Sequence, residues 1–179
     1  DVVISYYNQH INHERLADAY YYKAICAYKA KDPQQSIMLY KKAEVEAEQS
    51  GSLYQKFKIA EGISFVNGRS ANYDLQLTYA KRALELSQSI DKKKLIAFCY
   101  YRLGVAYSKM GYEDSVVYSF SKIKPYLQFV GRKELPTLLS SLGSSLKYSH
   151  PNLAKEYLYE SMKYQNSTAS YQNLADIFY

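Results

Sequence analysis

Two histidines three residues apart, His10 and His13, with Glu14 beside them, are the nearest approach to a metal-binding pattern in this chain. Imidazoles at that spacing share a helix face and could hold a divalent ion, but a zinc site needs at least a third ligand, and none follows. The set also lies in a fraying end, so it reads as solvated surface. Cys26 and Cys99 are too few for a metal set or a disulfide framework. Both fall inside helical patterns, where a buried free thiol is expected. His150 precedes Pro151 in a tight turn. Gly51, Gly68, Gly111 and Gly131 read as single turn residues, and no glycine-rich loop is present to cradle a phosphate. Glu44, Glu46 and Glu48 with Lys41 and Lys42 read as a solvated helix face. No carboxylate pair has the setting that hydrolysis requires. The expectation is a chain that is not an enzyme, with no catalytic residue, cofactor or metal.

What remains is a question of scaffold. The 179 residues include 22 tyrosines, seven glycines, four prolines and no tryptophan. So few glycines and prolines argue against disorder, collagen and turn-dense all-β folds. Tyrosine can fill a core, but its hydroxyl needs a polar outlet. The net charge is +6, and the longest basic run is only Lys92-Lys93-Lys94. That balance favours acidic partners while fitting a lysine-rich solvated surface. No stretch approaches the roughly 18 apolar residues of a membrane span, and no secretory leader is visible. The chain starts at Asp1 inside an amphipathic pattern, so it reads as a fragment of a longer protein, with the placement expected to be cytoplasmic or an envelope-facing part of a membrane-linked protein.

Apolar residues recur at helical spacing almost throughout. The pattern predicts helices at 2–11, 13–31, 33–50, 52–67, 72–89, 91–110, 112–130, 132–149, 151–165 and 168–179. One helix type carries apolar or small residues at offsets 0, +3, +4 and +7: Tyr21/Ala24/Ile25/Tyr28, Ile59/Gly62/Ile63/Val66, Tyr100/Leu103/Gly104/Tyr107, Leu139/Leu142/Gly143/Leu146 and Tyr171/Leu174/Ala175/Phe178. A second type carries offsets 0, +4 and +7: Ser36/Tyr40/Ala43, Gln76/Ala80/Ala83, Val116/Phe120/Ile123 and Ala154/Leu158/Ser161. The closing residues of this second type recur at close to 40-residue spacing. A small residue in each set lets a neighbouring backbone approach, and hairpins of this kind stack to share one core.

The run Tyr100-Tyr101-Arg102-Leu103-Gly104-Val105-Ala106-Tyr107, ending in Gly111-Tyr112, resembles the first helix of the tetratricopeptide family. Ile37 to Ala43, Leu77 to Leu84 and Leu153 to Ser161 resemble that family's second helix. The resemblance implies an all-α, right-handed superhelix of antiparallel helix hairpins: one array over 1–179, with repeats at 13–51, 52–90, 91–131 and 132–167 and partial repeats at 1–12 and 168–179. Departures are the repeat length, about 40 residues against the family's 34, and the reversed order of large and small in repeats one and two. Pro125 should kink or end its helix. The turn from Asn67 to Asn72 reads as two residues longer than its equivalents.

In that family first helices line the concave face. The resemblance therefore implies a groove containing Tyr22, Lys29, Phe57, Ser64, Asn67, Phe98, Tyr101, Ser108, Lys109, Ser144, Lys147 and Tyr148. Ala19, Cys26, Ala30, Ala60, Gly68, Val105, Thr137 and Ser140 share those positions. Rings there could grip apolar side chains of a peptide, and Lys29, Lys109 and Lys147 could hold a carboxylate. The family's carboxylate clamp wants Asn where this chain has Cys26, Ser64, Val105 and Ser144, which argues against that specificity. Only three lysines map to the groove, too few for a repeat reader of RNA. The expected function is a non-catalytic binding module for a protein or peptide, including one bearing acidic groups, with no nucleic acid and no membrane contact from this segment. The alternatives are a peptide-sensing switch joined to a DNA-binding or kinase output, flexing at 67–72 and Pro125, self-association through the open ends, and an RNA-binding helical repeat, which the few groove lysines disfavour. The likeness to large bacterial regulators is one of analogy.

Overall fold

The computed structural model describes residues 2–164, 172 and 174–176, and they are all-helical. The helices are α1 (Val2–Gln9), α2 (His13–Lys29), α3 (Pro33–Ser50), α4 (Leu53–Arg69), α5 (Tyr73–Ser89), α6 (Lys93–Met110), α7 (Glu113–Ser121), a 3₁₀ helix (Lys124–Phe129), α8 (Leu135–Leu146) and α9 (Pro151–Tyr164). None of the described helices is long and apolar enough to cross a membrane. The expected helix 168–179, with Tyr171, Phe178 and Tyr179, lies mostly outside the described residues.

The turns set a fixed beat. Ile11, Lys31, Gly51, Ala71, Asp91 and Gly111 all have positive φ, one every twenty residues. Each ends a helix. At five of the six, the next residue's N–H closes a wide loop to a carbonyl five residues back: Asn12 to Tyr7, Asp32 to Ala27, Asn72 to Asn67, Lys92 to Ser87 and Tyr112 to Tyr107, at 2.9–3.4 Å. This is a Schellman stop, which satisfies the carbonyls that the helix end would orphan. The closing residue then starts the next helix. Asn12 accepts from Arg15 N at 3.0 Å and Asp32 from Gln35 N at 2.9 Å, with Pro33 pre-setting the first turn. Stop and start share two residues, so every turn is short. That includes the turn expected to be long: α4 runs to Arg69 and leaves only Ser70 to Asn72. Gly68 is accordingly a helix residue, packed on Gln76.

The chain divides into two compact units, Asp1–Lys92 and Lys93–Tyr179. In the first, α2 and α3 form one hairpin and α4 and α5 another, with α3 also packed on α4. Small residues sit at the crossings. Ser36 Oγ donates to Ala24 O (2.8 Å) and Ser64 Oγ to Gln76 O (2.9 Å). The ring of Tyr40 fills the space over Gly62, where a Cβ would meet it at 2.5 Å. Burial pushes the Tyr40 phenol up, so it stays neutral.

In the second unit α6 pairs with α7 and α8 with α9. Phe120 packs on Gly104 and Leu158 on Gly143, around a core of Leu138, Leu139, Leu142, Leu146 and Tyr157. Ser161 Oγ donates to Pro136 O at 2.8 Å. Here the beat breaks. The continuous helix expected over 112–130 stops at Ser121, and Pro125 opens a 3₁₀ helix. The ring removes an N–H and crowds the preceding turn, so an α-helix cannot run through it. Ile123, beyond the helix, is nevertheless buried at its expected position. The following helix, expected over 132–149, starts only at Leu135 because Pro136 fits only a first turn, and it ends at Leu146.

Candidate functional site

The first-helix faces of the two units differ in what they leave open. In the first unit, Tyr22 is 60% exposed and Lys29 is exposed, but three expected groove residues are interior. Phe57 is 3% exposed and stacks on Tyr54. Ser64 bonds α5 as described, and Asn67 is 1% exposed, its Nδ2 donating to Ile63 O at 2.9 Å. The reason is register. The turn beat makes position 100 equivalent to 60 and 20, whereas the anchors read from the sequence were Ile59 and Tyr21. Each is one residue off, and one residue is about 100° of helix. The apparent reversal of large and small in repeats one and two has the same origin: Ala24, Ser64 and Gly104 are the equivalent small residues.

On the turn beat, the positions of the first unit equivalent to those expected for the groove are Asp18, Tyr21, Ile25 and Tyr28 on α2, and Lys58, Glu61 and Phe65 on α4. Several of them meet across the helix pair. Lys58 Nζ lies 3.1 Å from Asp18 Oδ1 and 4.9 Å from the Tyr21 ring centroid. Tyr54 and Tyr22 flank it at 5.5 and 6.0 Å. Tyr28 and Phe65 meet edge to face at 5.2 Å. Desolvation and the nearby Glu61 carboxylate push the Tyr21 phenol up. This face is stitched shut by its own charges and rings. Spacing the first helices by the same 40 residues as Ala43, Ala83 and Ile123 would have found it.

In the second unit Phe98 and Tyr101 of α6 meet Thr137, Leu138 and Ser141 of α8 around an open hollow of about 330 Å³, rimmed by Lys133 and Glu134. Tyr101 is backed by Phe120, stacked at 6.4 Å. Seven residues further along α6, about 10 Å by helix rise, Ser108 joins Tyr148 and Ser145 in a second hollow of about 250 Å³. Tyr148 is 80% exposed. Expected groove residues are thus gathered in pairs at the two ends of one helix pair. Lys109 is exposed, whereas Ser144 is half-buried and bonds Ser140 O in its own helix. Lys147 is engaged by Asp176, whose hydrogen bond holds the ammonium above its ordinary range. It is not free to receive a partner's carboxylate. No known protein family and no curated protein matches this sequence.

The remaining chemical candidates go elsewhere. His13 Nδ1 donates to Glu46 Oε2 (2.7 Å), tying α2 to α3, while His10 stacks on Tyr6. Among the described residues no three metal-ligating groups converge. Cys99 is buried, but Cys26 is exposed, contrary to the expectation for a helical thiol. The glutamates of α3 are more than a solvated face. Arg82 bridges Glu44 and Glu48 (2.7 and 2.5 Å), Lys56 pairs with Glu48, and Lys41 bonds both Glu44 and Tyr79. The Lys56 hydrogen bond draws the Glu48 carboxyl below its usual range.

Proposed function

We propose that the chain is a non-catalytic binding module that holds an extended peptide, or an exposed segment of a protein, along the α6–α8 face. The observation that carries this reading is the pair of hollows at the two ends of that face, each lined by an aromatic ring and by hydroxyls. Rigid aromatic walls give contact area at low entropy cost, and the hydroxyls can satisfy a peptide's backbone. The resemblance to tetratricopeptide repeats favours the same face, a right-handed stack and a place within a larger regulatory protein. The partner acts by being held, with no role for a cofactor, nucleic acid or membrane.

The test is a selection from a random peptide display library on the full 179-residue chain. Binders should lose about tenfold or more in affinity in Tyr101→Ala, with unchanged helix content by circular dichroism. Equal affinity in that variant would count against this face, and recovery of no peptide at all would count against the binding reading.

A further inference from the structure

The two units do not share the net charge equally. Residues 1–92 hold twelve basic and eleven acidic side chains, whereas 93–179 hold eleven and six, so +5 of the +6 falls in the second unit. Much of that excess lies in the segment that breaks the beat: Lys122, Lys124, Arg132 and Lys133 precede Glu134, and all five are exposed. The break forfeits a regular helix end, but it brings Lys133 to the rim of the hollow. Of the two charges on that rim, Glu134 is neutralised by Lys94 at 2.7 Å. Lys133 has no carboxylate among the described residues.

The contrast with the first unit supplies the second argument. Asp18, Lys58 and Phe98 are equivalent on the forty-residue beat. In the first unit the helix pair is closed by the Asp18–Lys58 ion pair and its flanking tyrosines. In the second, Phe98 forms an apolar wall and the space in front of it is open. An apolar floor with one unpaired ammonium on the rim selects an apolar group joined to an anion.

Resting on the peptide-binding reading above, we infer that this hollow takes an aromatic or large aliphatic side chain with an aspartate or glutamate one or two residues away. The ring packs between Phe98, Tyr101 and Leu138, and the carboxylate meets Lys133. A basic neighbour would face unpaired positive charge, so the site rejects basic peptides as well as selecting acidic ones. A nucleic-acid strand calls for a track of cations along its backbone, and this rim offers one. A membrane surface calls for a protruding apolar face, and this one is concave.

The experiment is a ¹⁵N–¹H titration of the full chain with three synthetic heptapeptides, Gly-Ser-Asp-Phe-Glu-Ser-Gly and its Lys-Phe-Lys and Asp-Ala-Glu analogues. A dT oligonucleotide and phosphatidylserine vesicles serve as further probes. The first peptide should move the amides of Phe98, Tyr101 and Leu138 and bind about tenfold more tightly than either analogue. Lys133→Glu should weaken it about five- to tenfold, and Thr137→Trp, on an exposed position, should block it by filling the hollow. Both variants leave the core untouched, and circular dichroism checks that they fold. Equal or tighter binding of the lysine peptide overturns the inference and leaves the peptide-binding reading standing, as do shifts that map elsewhere on the protein. Tighter binding of the oligonucleotide or the vesicles overturns it in favour of a polyanion. If none of the three peptides binds, the inference falls, and the library selection then decides the broader reading separately.

Discussion

Replacing Gly104 by alanine sets two effects against each other, and the structure decides which wins. In an ordinary helix interior the change stabilises by about 1 kcal/mol, because glycine loses more backbone freedom on folding. Here the new Cβ would overlap the edge of the Phe120 ring, against Cε1, 2.5 Å from Cδ1 and 2.8 Å from Cζ. Phe120 is fully buried and backed by Tyr101, so the ring has nowhere to turn. Overpacking of an enclosed ring costs roughly 2–3 kcal/mol, so Gly104→Ala should lower stability by a net ~1–2 kcal/mol. Urea denaturation followed by circular dichroism measures it. A double-mutant cycle assigns the cause: in a Phe120→Leu background the alanine should be tolerated, giving a coupling of about 1 kcal/mol or more. A stabilised Gly104→Ala would refute the close approach of α6 and α7. Additive single effects would refute the pairing with Phe120.

Ala71 holds a positive φ of 59° without being glycine, a conformation that costs an L-residue about 1 kcal/mol. Ala71→Gly should therefore raise stability by roughly 0.5 kcal/mol after the entropy of the freer unfolded chain is set against it, and an unchanged or lowered thermal midpoint would count against the left-handed stop. Glu48 has a depressed carboxyl pKa, its first cause the Lys56 hydrogen bond. A depressed group contributes stability that is present above its unfolded pKa and is lost as pH falls through the folded one. The urea midpoint should thus drop on acidification more in the native chain than in Glu48→Gln, and the difference should shrink in high salt because the pair is partly exposed; parallel pH profiles would contradict it. Cys26 is exposed and Cys99 buried, so a thiol reagent should titrate one cysteine in the folded protein and the second only in denaturant; two fast thiols would mean that α6 is misplaced.

The helices were legible because amphipathic spacing and turn residues speak locally, and nine of the expected segments are found. The interhelix register was legible only in part. Ala43 and Ala83 fall within α3 and α5 as expected and are buried, and Ile123 is buried at the same spacing although α7 ends before it. On the first helices, large residues stand directly beside the position that the turn beat marks: Tyr20 is followed by Tyr21 and Tyr22, and Ala60 is preceded by Ile59. Hydrophobicity alone cannot choose among them. The turn chemistry could not help either, because Lys31, Ala71 and Asp91 hold left-handed positions that normally advertise themselves through glycine. What was missed follows from this: Phe57, Ser64 and Asn67 were turned outward by one residue, and Asp18, Lys58 and Phe65 were overlooked.

The same register explains why, among the described residues, the α2–α4 face is closed while the α6–α8 face holds an open hollow. On equivalent positions, α2 and α4 present Asp18 and Lys58, which meet at 3.1 Å, and Tyr21, which lies over that ammonium. The α6 positions are Phe98 and Tyr101, and facing them on α8 are Thr137 and Ser141, side chains too short to reach across. A pair of long opposite charges closes the helix–helix groove, whereas a ring facing a hydroxyl leaves it open. The break at Pro125 then sets Lys133 on the rim. Tyrosine serves both states, as the wall of an open groove in Tyr101 and as the cover of a closed ion pair in Tyr21. The tyrosine content therefore marks the inward faces without saying which of them is open. The residue facing the tyrosine across the helix pair decides that: in this chain a lysine closes the face and a serine or threonine leaves it open.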